Sequence, residues 1–237
     1  MTEPPFDGRT ELSERLLRKH LGLAGGEDAL VDTIVLTVAR EIIEGTMAPG
    51  TVLDSISLAR RFDTSRTPVR EAQIALERHG LIESEPRRRP RVTSLTAEQV
   101  SEVYELRGIL HGLIAQKVAN RRTEDDLRSL EACLEDMRRG NATGDVNGYF
   151  WSQVAFHDNA ADIARDGTLK RVTYGLGLQV LRLRHSGMAI EGRLARSLTD
   201  HERLIVAFRE GDADLAYAIG RSLVLDALTL LRRYARV

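Results

Sequence analysis

The stretch Ser65 to Ala72, reading Ser-Arg-Thr-Pro-Val-Arg-Glu-Ala, restricts the fold more than any other part of the chain. It reads as the start of a helix. Ser65 or Thr67 can cap the first turn, and Pro68 fits there because the first amides of a helix lack intrahelical partners. The helix is expected to run from about Thr67 to His79, where Gly80 ends it. Arg66 and Arg70 are four apart, so both project from one face near the positive end of the helix dipole. Val69, Ala72, Ile74, Ala75 and Leu76 lie mostly on the other side and are expected to be buried. A helix that shows two arginines and two hydroxyls at its start, with an apolar back, suits a DNA major groove.

The flanking sequence frames this helix. Leu30, Ile34, Val35, Val38, Ile42 and Ile43 recur at helical spacing, Gly45 stops the run, and Pro49-Gly50 makes a turn. Val52-Leu53 is a short extended piece. A second helix, Ile56 to Phe62, starts at Asp54 or Ser55, and Asp63 occupies the turn before Ser65, where Asp tolerates unusual backbone geometry. Two helices joined by so short a turn form a helix-turn-helix. Leu81 to Glu85 and Arg91 to Thr93 read as strands around a basic turn, Pro86 to Pro90. This hairpin is a wing whose arginines Arg87, Arg88 and Arg89 can meet phosphate or a minor groove.

The charge distribution agrees. The 237-residue chain has a formal net charge of −1, which by itself carries no nucleic-acid signature. Between Arg60 and Arg91 there are nine arginines against five acids, a net of +4 that leaves −5 for the rest. A confined basic patch is compatible with DNA binding. Cys133 is the single cysteine, which excludes an internal disulfide and cysteine-rich zinc sites. No apolar run approaches the roughly 18 residues of a membrane span. Met1 to Arg9 has no apolar signal-peptide core, so no membrane association is expected and the cytoplasm is the expected compartment.

Residues 30–93 resemble the winged-helix domain of GntR-family transcription regulators. The residues that carry the likeness are Ile43-Glu44-Gly45, Pro49-Gly50, Leu58-Ala59, the whole Ser65 to Ala72 run, Leu76 and Gly80 to Glu83. The resemblance implies DNA contacts at Ser65, Arg66, Thr67 and Arg70. The chain departs from the family where Asp63 stands in place of a turn glycine and where Arg89-Pro90 stands in place of a glycine at the wing tip.

From Thr96 onward the pattern is helical throughout. Thr96 and Gln99 form a capping box, which places a domain boundary near Leu95. Helices are expected near 97–120, 123–139, 143–165, 168–190, 196–210 and 213–235, with Val103, Leu106, Leu110, Leu113 and Ile114 as the inner stripe of the first. Tyr149, Phe150, Trp151 and Phe156 are expected in the core. The matches Glu102 to Arg107, Phe156-His157, Asp200-His201-Glu202, Ile205 and Gly211 to Ala213 make this region resemble the FCD effector domain of the FadR branch of the same family.

That resemblance implies a pocket. Many members of the branch hold a metal through an Asp or Asn four residues before a helical His, that His, and two more. Here His157 and His201 match, but Gln153 and Ser222 stand at the other two positions. Two readings stay open. His111, four residues after Arg107, could join His157 and His201 around one divalent ion such as zinc or nickel, with Gln153 a weak fourth donor. Alternatively Arg107, His111, His157 and His201 form a metal-free cationic pocket for an organic acid. Arg184 and His185 sit on a helix whose phase the pattern does not set.

The sequence therefore leads to a mainly α protein. A winged helix-turn-helix over 29–95 is followed by an all-helical bundle of six or seven helices over 96–237, which would bind an effector and dimerise. Residues 1–28 read as an extension, flexible or docked, in which Thr10 to His20 could make a short amphipathic helix. The expected function is a homodimeric, sequence-specific regulator, a repressor released from double-stranded operator DNA by a small carboxylate, and not an enzyme. The rivals are a metal-dependent hydrolase built on His157 and His201 and a non-specific architectural DNA-binding protein.

Overall fold

The computed structural model describes residues 8–23, 29–176 and 178–234. Its contacts divide the chain into two compact units, Met1–Ser94 with Gly177–Leu183, and Leu95–Leu176 with Arg184–Val237.

The first unit is built on α2 (Ala29–Ile43), whose Ile34, Val35, Val38, Ala39, Ile42 and Ile43 are buried. Helix α1 (Gly8–Leu21) packs on α2 through buried Leu16, Leu17 and Leu21, and Arg18 ties Asp32 at 3.1 Å to Glu14 at 3.0 Å. The remainder of residues 1–28 lies outside the described residues. Helix α3 (Ser55–Arg61) starts on Asp54, whose carboxylate accepts the Ser57 amide at 3.0 Å. Arg61 pairs with Glu41 of α2. Asp63 then takes a left-handed conformation, φ 48°, so the short polar side chain does tolerate the turn that glycine would make easily.

Helix α4 (Arg66–Arg78) buries Val69, Ala72, Gln73 and Leu76. Two details depart from the expected pattern. Ile74 is 57% exposed, because it falls outside the 69/72/73/76 stripe that faces the core. Gln73 takes its place inside, where its Nε2 donates to the Leu53 carbonyl at 2.9 Å. The wing is a minimal hairpin, β1 (Ile82–Glu83) paired antiparallel with β2 (Arg91–Val92), and the extended piece at Val52 bridges to Arg91.

The second unit is all helical. Helices α5 (Ala97–Arg121) and α11 (Ala213–Tyr234) pack extensively on each other, and α6 (Glu124–Thr143) packs on α7 (Val146–Ile163) and α10 (Arg193–Glu210). Both Thr96 and Thr123 close full capping boxes, with Gln99 and Asp126. The long helix expected over 168–190 is two elements, α8 (Gly167–Gly175) and α9 (Gln179–Met188). The first of them ends at Gly175, a residue type that weakens a helix interior. The inner face of α5 is also rotated from the expected one. Tyr104, Arg107, Leu110, His111, Ile114 and Val118 are buried, whereas Leu106 is 43% exposed. Arg107 and His111, four apart and expected to share an inner face, both lie on this buried stripe. Tyr149, Phe150, Trp151 and Phe156 are all core.

Candidate functional sites

The start of α4 presents Ser65, Arg66, Thr67 and Arg70, all exposed. Ser65 has N-cap backbone geometry, yet its hydroxyl makes no capping bond, so the cap oxygen and the first amides face outward together. None of the three wing arginines is buried. Arg88 pairs with Glu85 at 2.5 Å and Arg89 with Asp54 at 3.3 Å, both surface contacts of small energetic weight that a phosphate can displace. Arg87 sits at φ 67°, the left-handed corner of the turn where the family's glycine would be expected nearby.

The second site lies inside the bundle. Its floor comes from α7, where Gln153 and His157 are four apart and share a face. Helix α10 adds Ser197 and His201 at the same spacing, and α5 adds Arg107 and His111. His201 is fully buried, Gln153 is 2% exposed and Arg107 4% exposed. A carbonyl only accepts, so the 2.6 Å contact from His201 Nδ1 to the Ser197 carbonyl makes that nitrogen the proton carrier. His201 Nε2 is then the acceptor in the 3.3 Å contact with His157 Nε2, which donates. The ring of His111 meets that of His157 edge to face at 4.7 Å. Burial pushes the pKa of His201 down to about 4, and burial followed by neighbouring positive charge pushes His111 and His157 well below the usual imidazole range. All three imidazoles are neutral at pH 7.

The positive charge comes from arginines. Arg107 lies over the Tyr104 ring at 4.9 Å, and no acid among the described residues pairs with it. Arg184 of α9 turns into this site and donates from Nη2 to Gln153 Oε1 at 3.0 Å, while Gln153 Nε2 donates to Ser197 Oγ at 3.0 Å. Arg193, at the first turn of α10, is 3% exposed, and its Nη1 is buried with no hydrogen-bond partner. Its charge reaches both His201 and Arg184. Sequence reasoning passed over Arg193, which is one arginine among several after a glycine turn and has no patterned neighbour. His185 faces elsewhere, its Nε2 donating to Asn147 Oδ1 at 2.7 Å. Ser222 is exposed on α11 with Asp226 of the same helix as its contact, so it is not brought into the cluster.

The residues do not fit a metal centre. The Nε2 atoms of His157 and His201 hold each other, and Gln153 is committed at both ends of its amide. Among the described residues no group of three or more His, Cys, Asp or Glu could hold an ion. Such a cluster of guanidinium and neutral imidazole in a low-dielectric site attracts an anion instead.

A winged helix-turn-helix followed in the chain by a helical bundle with a buried arginine–histidine cluster is the architecture of a ligand-responsive DNA-binding regulator. Residues 30–92 match the gntR family of bacterial regulatory proteins and residues 102–225 match the FCD domain, so the chain belongs to the GntR family of transcription regulators and carries an FCD effector domain. It is 29% identical over 177 residues to the HTH-type transcriptional regulator YdhC of Bacillus subtilis, covering 74% of this chain and 79% of that protein. It is 24% identical over 222 residues to the galactonate operon transcriptional repressor of Escherichia coli, covering 85% and 96%. Among solved structures, E. coli McbR/YncC superposes with a TM-score of 0.74 at 19% identity, covering 87% of this chain and 99% of that one. Regulators of this family bind operator DNA through the winged helix and small-molecule effectors through the FCD domain.

Proposed function

We propose that the chain is a homodimeric repressor of the cytoplasm, released from its operator by a small organic carboxylate bound among Arg107, Arg184, His157 and His201. The observation that carries this reading is the buried Arg107, whose charge no acid among the described residues answers. A buried, unpaired guanidinium is costly in a folded protein and is stabilised when a carboxylate binds it in bidentate fashion. The galactonate operon repressor, named for a sugar acid, supports a carboxylate as the ligand class and repression as the sign. In this reading His111 and Gln153 line the same pocket, and neither zinc nor nickel is needed.

On the DNA side, Ser65, Arg66, Thr67 and Arg70 enter the major groove. Arg88 and Arg89 exchange their surface ion pairs for phosphates, and Arg87 adds a third phosphate contact. Two-fold symmetry of a dimer would match a pseudo-palindromic operator. The ligand controls DNA affinity only if it binds more tightly to one arrangement of the two recognition helices than to the other.

The test begins with operators selected by the protein from random-sequence duplex DNA. Each bidentate arginine–guanine contact is worth roughly 1–3 kcal/mol, so Arg66→Ala with Arg70→Ala is expected to weaken operator binding by at least about 30-fold. An unchanged affinity in that double variant would overturn the assignment of the recognition helix.

A further inference from the structure

We infer that the Arg184 guanidinium stands where a divalent cation would otherwise sit, so that the pocket takes its carboxylate directly, with no metal between. The inference rests on the bundle being the effector site.

Gln153 makes the substitution work. The resemblance places a metal-binding Asp or Asn at this position. A carboxylate here would pair with Arg184 and cancel its charge. The neutral amide does something different. Its Oε1 accepts from Arg184 at 3.0 Å and fixes the guanidinium, while its Nε2 is anchored on Ser197 at 3.0 Å. Arg184 is thereby oriented by a neutral partner that leaves its guanidinium positively charged. The other residue the resemblance assigns to a metal, Ser222, has no place in the cluster because it lies on the exposed side of α11.

The retained histidines fit this arrangement. The two Nε2 atoms lie 3.3 Å apart, a spacing that one ion could bridge, but they share a proton instead. With His201 Nδ1 tied to a carbonyl, the pair is held neutral and polar. A dication entering here would meet Arg184 and Arg107 together, and Asp158, whose charge reaches Arg184, is the acid that bears on the pair. An organic carboxylate would meet two guanidinium forks, and the buried Arg193 Nη1 without a partner is a further donor at the same end of α10. Arg184 is only partly buried, in keeping with a group placed where the ligand enters.

The experiment titrates zinc and nickel ions, separately, into full-length protein stripped with a chelator, and reads stoichiometry by calorimetry and by metal analysis after gel filtration. Wild type is expected to retain less than about a tenth of an equivalent. Gln153→Asp with Arg184→Ala restores an acid beside the two imidazoles and removes the competing cation, and it is expected to retain about one equivalent, lost again on adding His201→Ala. Should that double variant fail to fold, Gln153→Asn with Arg184→Met serves in its place. One equivalent in wild type overturns the inference, and so does a folded double variant that takes no metal, because Arg184 would then not be what excludes the ion. Operator release by carboxylates, measured in chelator, separates this result from the broader reading. A wild type that takes metal yet still releases DNA with carboxylate sinks only the present inference. A metal-free wild type that responds to no carboxylate sinks the effector reading and leaves the cation replacement standing.

Discussion

At the scale of single residues, the neutral histidines make stability depend on pH in a defined sense. His201 is held near pKa 4 in the folded protein, against about 6.5 for an unfolded chain. Above pH 6.5 both states are uncharged at this residue and it contributes no pH dependence. Between about 6.5 and 4 the unfolded chain binds the additional proton, so stability falls as the pH falls, by about 1.4 kcal/mol per unit for one such histidine. Below 4 the folded protein is protonated too and the slope from this group ends. His111 and His157 are displaced in the same direction and steepen the loss. Urea midpoints measured from pH 7.5 down to 5 should therefore decline, and His201→Asn should lower stability at pH 7.5 while making the decline shallower. A flat wild-type profile would mean the imidazoles are not buried as described. Among these residues, Arg107, His111, Gln153, His157 and His201 were all singled out in the sequence, and the fold does bring them together. Arg184 was undecided because a helix of unknown phase does not tell which of two neighbours faces inward, and it is the neighbour His185 that turns away to Asn147. Arg193 carried no signal in any sequence pattern.

At the scale of elements, close helix packing predicts specific sensitivities. A Cβ at Gly220 would come within 2.9 Å of Ala115 Cβ and 3.0 Å of the His111 carbonyl oxygen. At Gly140 it would come within 2.9 Å of the Tyr149 amide nitrogen. Neither neighbour is a flexible side-chain end. Gly220→Ala and Gly140→Ala should each lower unfolding free energy by about 1–3 kcal/mol, and the first should also disturb the pocket through His111. Thr96→Ala, which opens a complete capping box, should cost about 1 kcal/mol. Thermal or urea unfolding checks all three, and an unchanged Gly220→Ala would mean α5 and α11 sit farther apart than described. The element boundaries were legible wherever local chemistry marks them. The Thr96 box and the glycine and proline turns show in the sequence because a cap or a positive φ needs particular residues. What was not legible was phase. Leu106 looked like core and is exposed, whereas Arg107 and His111, four apart and expected to share the inner face, are buried, so the inward stripe of α5 is partly polar. Ile74 and Gln73 exchange roles on α4 for a related reason, since the amide is needed inside to satisfy the Leu53 carbonyl.

At the scale of the whole molecule, the central claim is that DNA affinity is set by a carboxylate held by arginines in the bundle. Coupling of this kind is typically worth about 1–3 kcal/mol, or roughly 5- to 150-fold in affinity, and it is reciprocal between ligand and DNA. The most direct measurement is fluorescence anisotropy of a selected operator duplex, with wild type and Arg107→Ala side by side, across a panel of sugar acids, hydroxy acids and dicarboxylates. The account predicts that at least one acid weakens operator binding by wild type about tenfold or more. It also predicts that Arg107→Ala binds the same duplex as tightly in the absence of acid and does not respond to it. A wild type indifferent to every acid, or an Arg107→Ala protein that responds as wild type does, would contradict it.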